Sequence, residues 1–174
     1  DGASIDTWGV GTNLITGGTD SSFGGVYKLA AKKVDDSIVA TIKVSNNAVK
    51  TTNPGIKQVY RFYNKDGSAA ADLISLEEEN ISVNRPYTFY HPIYFHNKFT
   101  LSNFGKVKPM LSLKMKDGKQ LEKPVSITNL QKRVKANLNC FDTSYKRIIN
   151  PHIYKVSLSE KLKSLKADLL DEYK

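Results

Sequence analysis

The sequence predicts a chain of the α+β class, with strands first and helices last. Three observations carry this. Short segments rich in β-branched and aromatic residues follow one another from Gly25 to Leu76, with turn residues between them. Two stretches beyond residue 126 place leucine, isoleucine and valine at helical spacing behind a capping serine. A glycine loop lies directly behind the first apolar residues, where a strand would hand over to a helical turn. At 174 residues the chain is long enough for one ordinary domain or two small lobes, and its composition is that of a folded protein.

The elements follow in order. Ile5, then Trp8-Gly9-Val10-Gly11-Thr12-Asn13-Leu14-Ile15, reads as a short strand entering a glycine loop, either the first strand of a fold or the last of a larger parallel sheet. Strands are expected at 26–30, 38–44, 57–63 and 70–74. Asn53-Pro54-Gly55 offers a tight turn and Asn64-Lys65-Asp66-Gly67 a hairpin connection. In the third strand Val59, Arg61 and Tyr63 face one way and Tyr60 and Phe62 the other. This stretch predicts a small antiparallel sheet. The acidic run Glu77-Glu78-Glu79 and the polar, proline-bearing chain from Asn80 to Pro92 place a lobe boundary there, dividing the chain at 1–24, 25–79 and 80–174. A strand-like segment from Val107 to Met115 ends at the turn Asp117-Gly118. Ser126 caps a helix whose apolar stripe is Ile127, Leu130, Val134 and Leu138. Ser157 with Glu160 reads as the capping box of a second helix, with the stripe Leu158, Leu162, Leu165 and Leu169. Both stripes are read as core packing.

Composition narrows the functional classes. No run approaches the roughly 20 apolar residues that a bilayer-spanning helix needs, and Asp-Gly-Ala-Ser at the start has neither a charged leader nor an apolar signal core, so a soluble protein is expected. A single cysteine, Cys140, has no partner for a disulfide and no ligand spacing for zinc, which suits a reducing cytoplasm. The balance of 26 Lys and Arg against 17 Asp and Glu gives a net charge of +9. That sign permits nucleic acid, an anionic membrane surface or a phosphorylated small molecule as partner. The basic residues are scattered, with Lys32 and Lys33, Lys132 and Arg133, and Lys146 and Arg147 far apart, as on solvated faces.

The stretch Gly9-Val10-Gly11-Thr12-Asn13 is the most suggestive chemically. Glycines admit an anion to the backbone N–H groups, and a following helical turn adds its dipole and a threonine hydroxyl. By itself the motif is short, lacking the third glycine of a dinucleotide fingerprint and the lysine of a P-loop, and an ordinary glycine turn is the better account of it. A second cluster, Gly17-Gly18 with Gly24-Gly25, marks the loop that follows as flexible or closely packed on a ligand.

Several blocks together go further. Asp6-Thr7-Trp8-Gly9-Val10-Gly11-Thr12-Asn13-Leu14-Ile15, then Phe23-Gly24-Gly25-Val26-Tyr27-Lys28-Leu29, closely resembles the end of the barrel in nicotinate phosphoribosyltransferases. Asn53-Pro54-Gly55-Ile56-Lys57-Gln58-Val59-Tyr60-Arg61 and Ala71-Asp72-Leu73-Ile74 follow in that family's order. The run from Tyr145 through Asn150-Pro151-His152 to Ser159 resembles its end segment.

This resemblance implies an enzyme that joins nicotinate to phosphoribosyl pyrophosphate, with coupled ATP hydrolysis and Mg2+ assisting, working as a homodimer in the cytoplasm. The fold it implies is the end of an irregular type II phosphoribosyltransferase α/β barrel, a small antiparallel sheet lobe and a C-terminal helical appendage. By the family's pattern the 5-phosphate of the phosphoribosyl group is held at Gly9, Gly11 and Thr12, with Val10 and Asn13 adding backbone N–H groups. The family's phosphorylated histidine, base-binding residues and acidic ribose motif all precede this segment. No catalytic residue and no metal ligand is therefore expected here, and the segment alone is expected to be inactive. His91, His96 and His152 are read as structural or exposed, and Asn150-Pro151-His152 as a turn. Two other readings stand beside this one. One is a nicotinamide-using relative of the same architecture. The other is a non-enzymatic nucleic-acid-binding module, in which Tyr60, Arg61, Phe62 and Tyr63 stack bases. The enzyme reading expects neither nucleic acid nor membrane as a partner.

Overall fold

A computed structural model describes residues 4–9, 11–16 and 25–172. Residues 4–9 and 11 are irregular, and α1 spans Thr12–Thr16. A hairpin of β1 (Ala31–Val34) and β2 (Ser37–Ala40) follows, turning at Asp35 with φ of 52°. Then come β3 (Lys57–Tyr63), β4 (Ala69–Leu76), β5 (Tyr87–Tyr90), β6 (Lys98–Leu101) and β7 (Lys106–Pro109). A small hairpin of β8 (Met115–Lys116) and β9 (Lys119–Gln120) precedes α2 (Ile127–Asn139). Last are β10 (Val156–Leu158) and α3 (Glu160–Asp171).

Six strands make one sheet in the order β6-β5-β10-β4-β3-β7. The hairpin predicted at Asn64–Gly67 forms, with Gly67 at φ of +86°, a left-handed conformation that glycine adopts without a Cβ penalty. Gly55 in the preceding turn is tighter still. At φ of +79°, its Cβ would lie 2.8 Å from Leu76 Cδ2. The core lies on one face of the sheet, where Phe62 meets Tyr87, Phe89 and Phe104 edge-on at centroid distances of 5.4, 5.1 and 4.8 Å. Such geometry sets a positive ring edge against a negative ring face.

The structure corrects several expectations. The sheet is mixed rather than antiparallel, because β10 runs parallel to β4, with Val156 opposite Asp72 and Leu158 opposite Ile74, while it pairs antiparallel with β5. Ser157 and Leu158 therefore belong to a buried strand and not to a helix. The helix cap is Ser159, whose hydroxyl accepts the N–H of Leu162. Ser157 cannot serve, since it is held in the ladder opposite Leu73. The polar stretch from Asn80 to Pro92 contains β5, and the sheet joins strands from both sides of the expected break at residue 79. The first β hairpin starts at Ala31, with residues 25–30 irregular. Residues 4–9 form no strand, for want of a neighbouring ladder among the described residues to take up their N–H and C=O groups. The segment expected as one strand from Val107 to Met115 divides, with β7 ending at Pro109, which has no N–H to extend a ladder.

Candidate functional site

The glycine loop is open. Gly9, Gly11 and Thr12 are exposed, and a Cβ built on either glycine would meet nothing within 4 Å beyond its chain neighbours. Neither glycine has the left-handed φ seen at Gly55, Gly67 and Gly118. Leu14 N–H donates to Gly11 C=O at 3.0 Å, closing the first turn of α1, and Thr16 Oγ1 donates to Thr12 C=O at 3.2 Å. Asn13 lies in α1, and Val10 falls outside the described residues. Trp8 and Leu14 beside the loop are each 70% exposed, so the described chain leaves this region uncovered.

The polar side chains that do converge lie elsewhere, behind the sheet. Arg61 donates from Nε and Nη2 to the two carboxylate oxygens of Asp72, each at 2.8 Å, and Tyr154 OH donates to Asp72 Oδ1 at 2.9 Å. The Arg61 guanidinium also lies over the Phe141 ring, 4.8 Å from its centroid. Its hydrogen bond to Asp72 holds the Arg61 pKa above the ordinary value, and burial beside that carboxylate pushes the Tyr154 hydroxyl upward. Both Asp72 oxygens accept hydrogen bonds, so the arrangement ties β3, β4 and the 141–154 segment together. Arg61 and Asp72 each stood in a block singled out from the sequence. Their pairing follows once the Asn64–Gly67 hairpin is closed, because that turn sets them opposite each other.

A second buried group was missed altogether. Lys166, 3% exposed, donates to Asn53 Oδ1 at 2.8 Å and to Pro92 C=O at 3.0 Å, and burial lowers its pKa. In the sequence it is one more lysine on a polar helix. His91 Nδ1 accepts the N–H groups of Ile93 and Tyr94 and so shapes a turn, while Asn150 has φ of 48°, as the turn reading of Asn150-Pro151-His152 requires. Phe62 is in the core and Arg61 is committed to Asp72, so β3 does not present the four stacking side chains that the nucleic-acid reading used. No group of three or more His, Cys, Asp or Glu able to hold a metal occurs among the described residues, and no described helix is long and apolar enough to cross a membrane.

The family profile described as the nicotinate phosphoribosyltransferase C-terminal domain matches residues 56–166. A nicotinate phosphoribosyltransferase of Bacillus subtilis is 38% identical over 99% of this chain, which covers 35% of that protein. One from Caenorhabditis elegans is 32% identical over 91% of the chain and 28% of the relative. A crystal structure of human nicotinic acid phosphoribosyltransferase superposes with a TM-score of 0.62 and 27% identity, over 68% of this chain and 24% of the human one. The chain belongs to the nicotinate phosphoribosyltransferase family and spans roughly a third of the length of its relatives.

Proposed function

We propose that this chain is the C-terminal part of an enzyme that joins nicotinate to phosphoribosyl pyrophosphate, yielding nicotinate mononucleotide and pyrophosphate with coupled ATP hydrolysis, in the salvage route to NAD. The observation that carries the reading is the similarity to the Bacillus subtilis relative through 99% of the chain, which takes in the glycine loop as well as the sheet. Gly9, Val10, Gly11, Thr12 and Asn13 form the 5-phosphate loop. Backbone N–H groups at the start of a helical turn face outward without intrahelical acceptors, and the Thr12 hydroxyl adds a donor. The surroundings of Gly9 and Gly11 support this. Neither φ nor packing among the described residues demands glycine there, and the open space beside both leaves room for a phosphate to approach the backbone.

The catalytic and base-recognising residues belong to the preceding part of the enzyme, so this chain alone is inactive. ATP and Mg2+ assist the complete enzyme, and the described residues of this chain include no group of three or more His, Cys, Asp or Glu able to hold the metal. The complete enzyme is a cytoplasmic homodimer. Nicotinate is preferred to nicotinamide because the relatives are named for nicotinate. The test is direct: the complete protein should form nicotinate mononucleotide from both substrates, and the 174-residue chain should not. Turnover by the short chain, or none by the complete protein with either base, would remove the reading.

A further inference from the structure

The helix α2 buries nothing. None of its 13 residues is buried, and Ile127, Val134 and Leu138 on its apolar stripe are 75, 53 and 51% exposed. With Leu130 they line a groove of about 550 Å3 whose remaining walls include Lys135 and Lys146. The chain leading into the helix adds Leu111, Leu113, Met115, Leu121 and Val125, all exposed. An isolated helix of this length is marginal in water, and its stability comes from packing an apolar face. The sequence reading of this stripe as core thus finds no core among the described residues to receive it, although α2 falls within the matched family domain at 56–166.

Two observations say what covers it. The relatives are about three times as long as this chain, so most of a complete family member lies outside it. The groove itself is bordered by Lys135 and Lys146, and the helix carries no acidic residue. Two copies of α2 laid stripe to stripe would bring like charges together, because a two-fold contact sets the same patch against itself. We infer that the α2 stripe is an intramolecular docking surface for the preceding part of the same polypeptide, which presents to it an apolar ridge rimmed by carboxylates. This rests on the proposal that the chain is the C-terminal part of a longer enzyme.

The experiment uses that complete enzyme, prepared as a mixture of ordinary and 15N-labelled subunits and treated with a carbodiimide that joins lysine directly to Asp or Glu. Cross-links from Lys135 or Lys146 to carboxylates preceding this segment, always joining peptides of one isotope, are expected. Replacing Val134 and Leu138 together by lysine should speed amide exchange in α2 by about tenfold or more, because it removes the apolar docking energy while keeping helix-forming residues. Cross-links in which about half of the pairs join an ordinary to a labelled peptide, as random pairing in a two-fold assembly gives, would assign the face to a second copy and overturn the inference. So would an unchanged exchange rate in the doubly substituted enzyme. Both results are read on an enzyme already shown to turn over nicotinate, so either failure is separate from failure of the functional reading.

Discussion

Arg61 and Asp72 face each other across adjacent strands and share two parallel hydrogen bonds of 2.8 Å, with Tyr154 reaching the same carboxylate from 82 residues away. The pair is largely withdrawn from water, its side chains 15 and 9% exposed. Removing one partner of such a pair leaves the other charged and desolvated, which costs more than the pair itself contributes. Asp72→Ala is therefore expected to destabilise the fold by about 3–5 kcal/mol in urea unfolding. A loss below about 1 kcal/mol would place the pair with exposed surface bridges.

Tyr154 gives the same cluster a pH signature. Burial, and then the negative charge of Asp72, raise its hydroxyl above the ordinary value of 10.0. A group whose pKa is raised on folding contributes fully while the unfolded phenol is still protonated, and the contribution is lost as the pH climbs above that value. Stability should fall above pH 10.0 with a component that Tyr154→Phe lacks. Parallel denaturation curves at neutral pH and above 10.0 for the two proteins measure it, and identical slopes would exclude the assignment.

The end of the sheet predicts a contrast between two serines. Ser159 accepts the Leu162 N–H at 3.2 Å and donates to Glu79 Oε1 at 2.5 Å, and the same carboxylate oxygen accepts the Leu76 N–H at 2.8 Å. Ser159→Ala should cost about 1–2 kcal/mol as a lost N-cap. Ser157→Ala removes no cap and should cost less. The opposite ranking in thermal unfolding would restore Ser157 as the capping residue.

At the loop, Thr12→Ala in the complete enzyme is expected to weaken phosphoribosyl pyrophosphate binding roughly tenfold to a hundredfold, the worth of a hydrogen bond to a charged group. Nicotinate binding should change far less. Calorimetric titration with each substrate separates the two, and unchanged affinity for phosphoribosyl pyrophosphate would remove Thr12 from the phosphate site.

What could be read from the sequence was local. The alternation from Lys57 to Tyr63 gave β3 with its bounds, and the Asn64–Gly67 turn joined it to β4, because strand period and turn chemistry act between near neighbours. The three-residue strand β10 was invisible. Val156-Ser157-Leu158 is too short to show a period, and its partner Asp72-Leu73-Ile74 lies more than eighty residues back. Ser-Leu-Ser-Glu also offers two serines ahead of one glutamate, and only the ladder decides which of them caps the helix. The Tyr87-Thr88-Phe89-Tyr90 run carried a strand signal that the flanking Pro86 and Pro92 masked. The loop motif stood out by its glycines, yet nothing local could say that Trp8 and Leu14 beside it would be left exposed by the described residues.

The placement of β10 has a consequence for the order in which the protein is made. Val156–Leu158 sits between β5 and β4, with two strands on one side and three on the other. Until those three residues have left the ribosome, β5 with β6 and β4 with β3 and β7 are two separate half-sheets, each exposing an unpaired inner edge. Such edges are templates for pairing with other chains. Non-local pairing of this kind is slow because the intervening loop must be closed first. The nascent domain therefore passes a long stage of synthesis as two incomplete sheets, and a ribosome stalled before Val156 would hold an aggregation-prone product rather than a shortened domain.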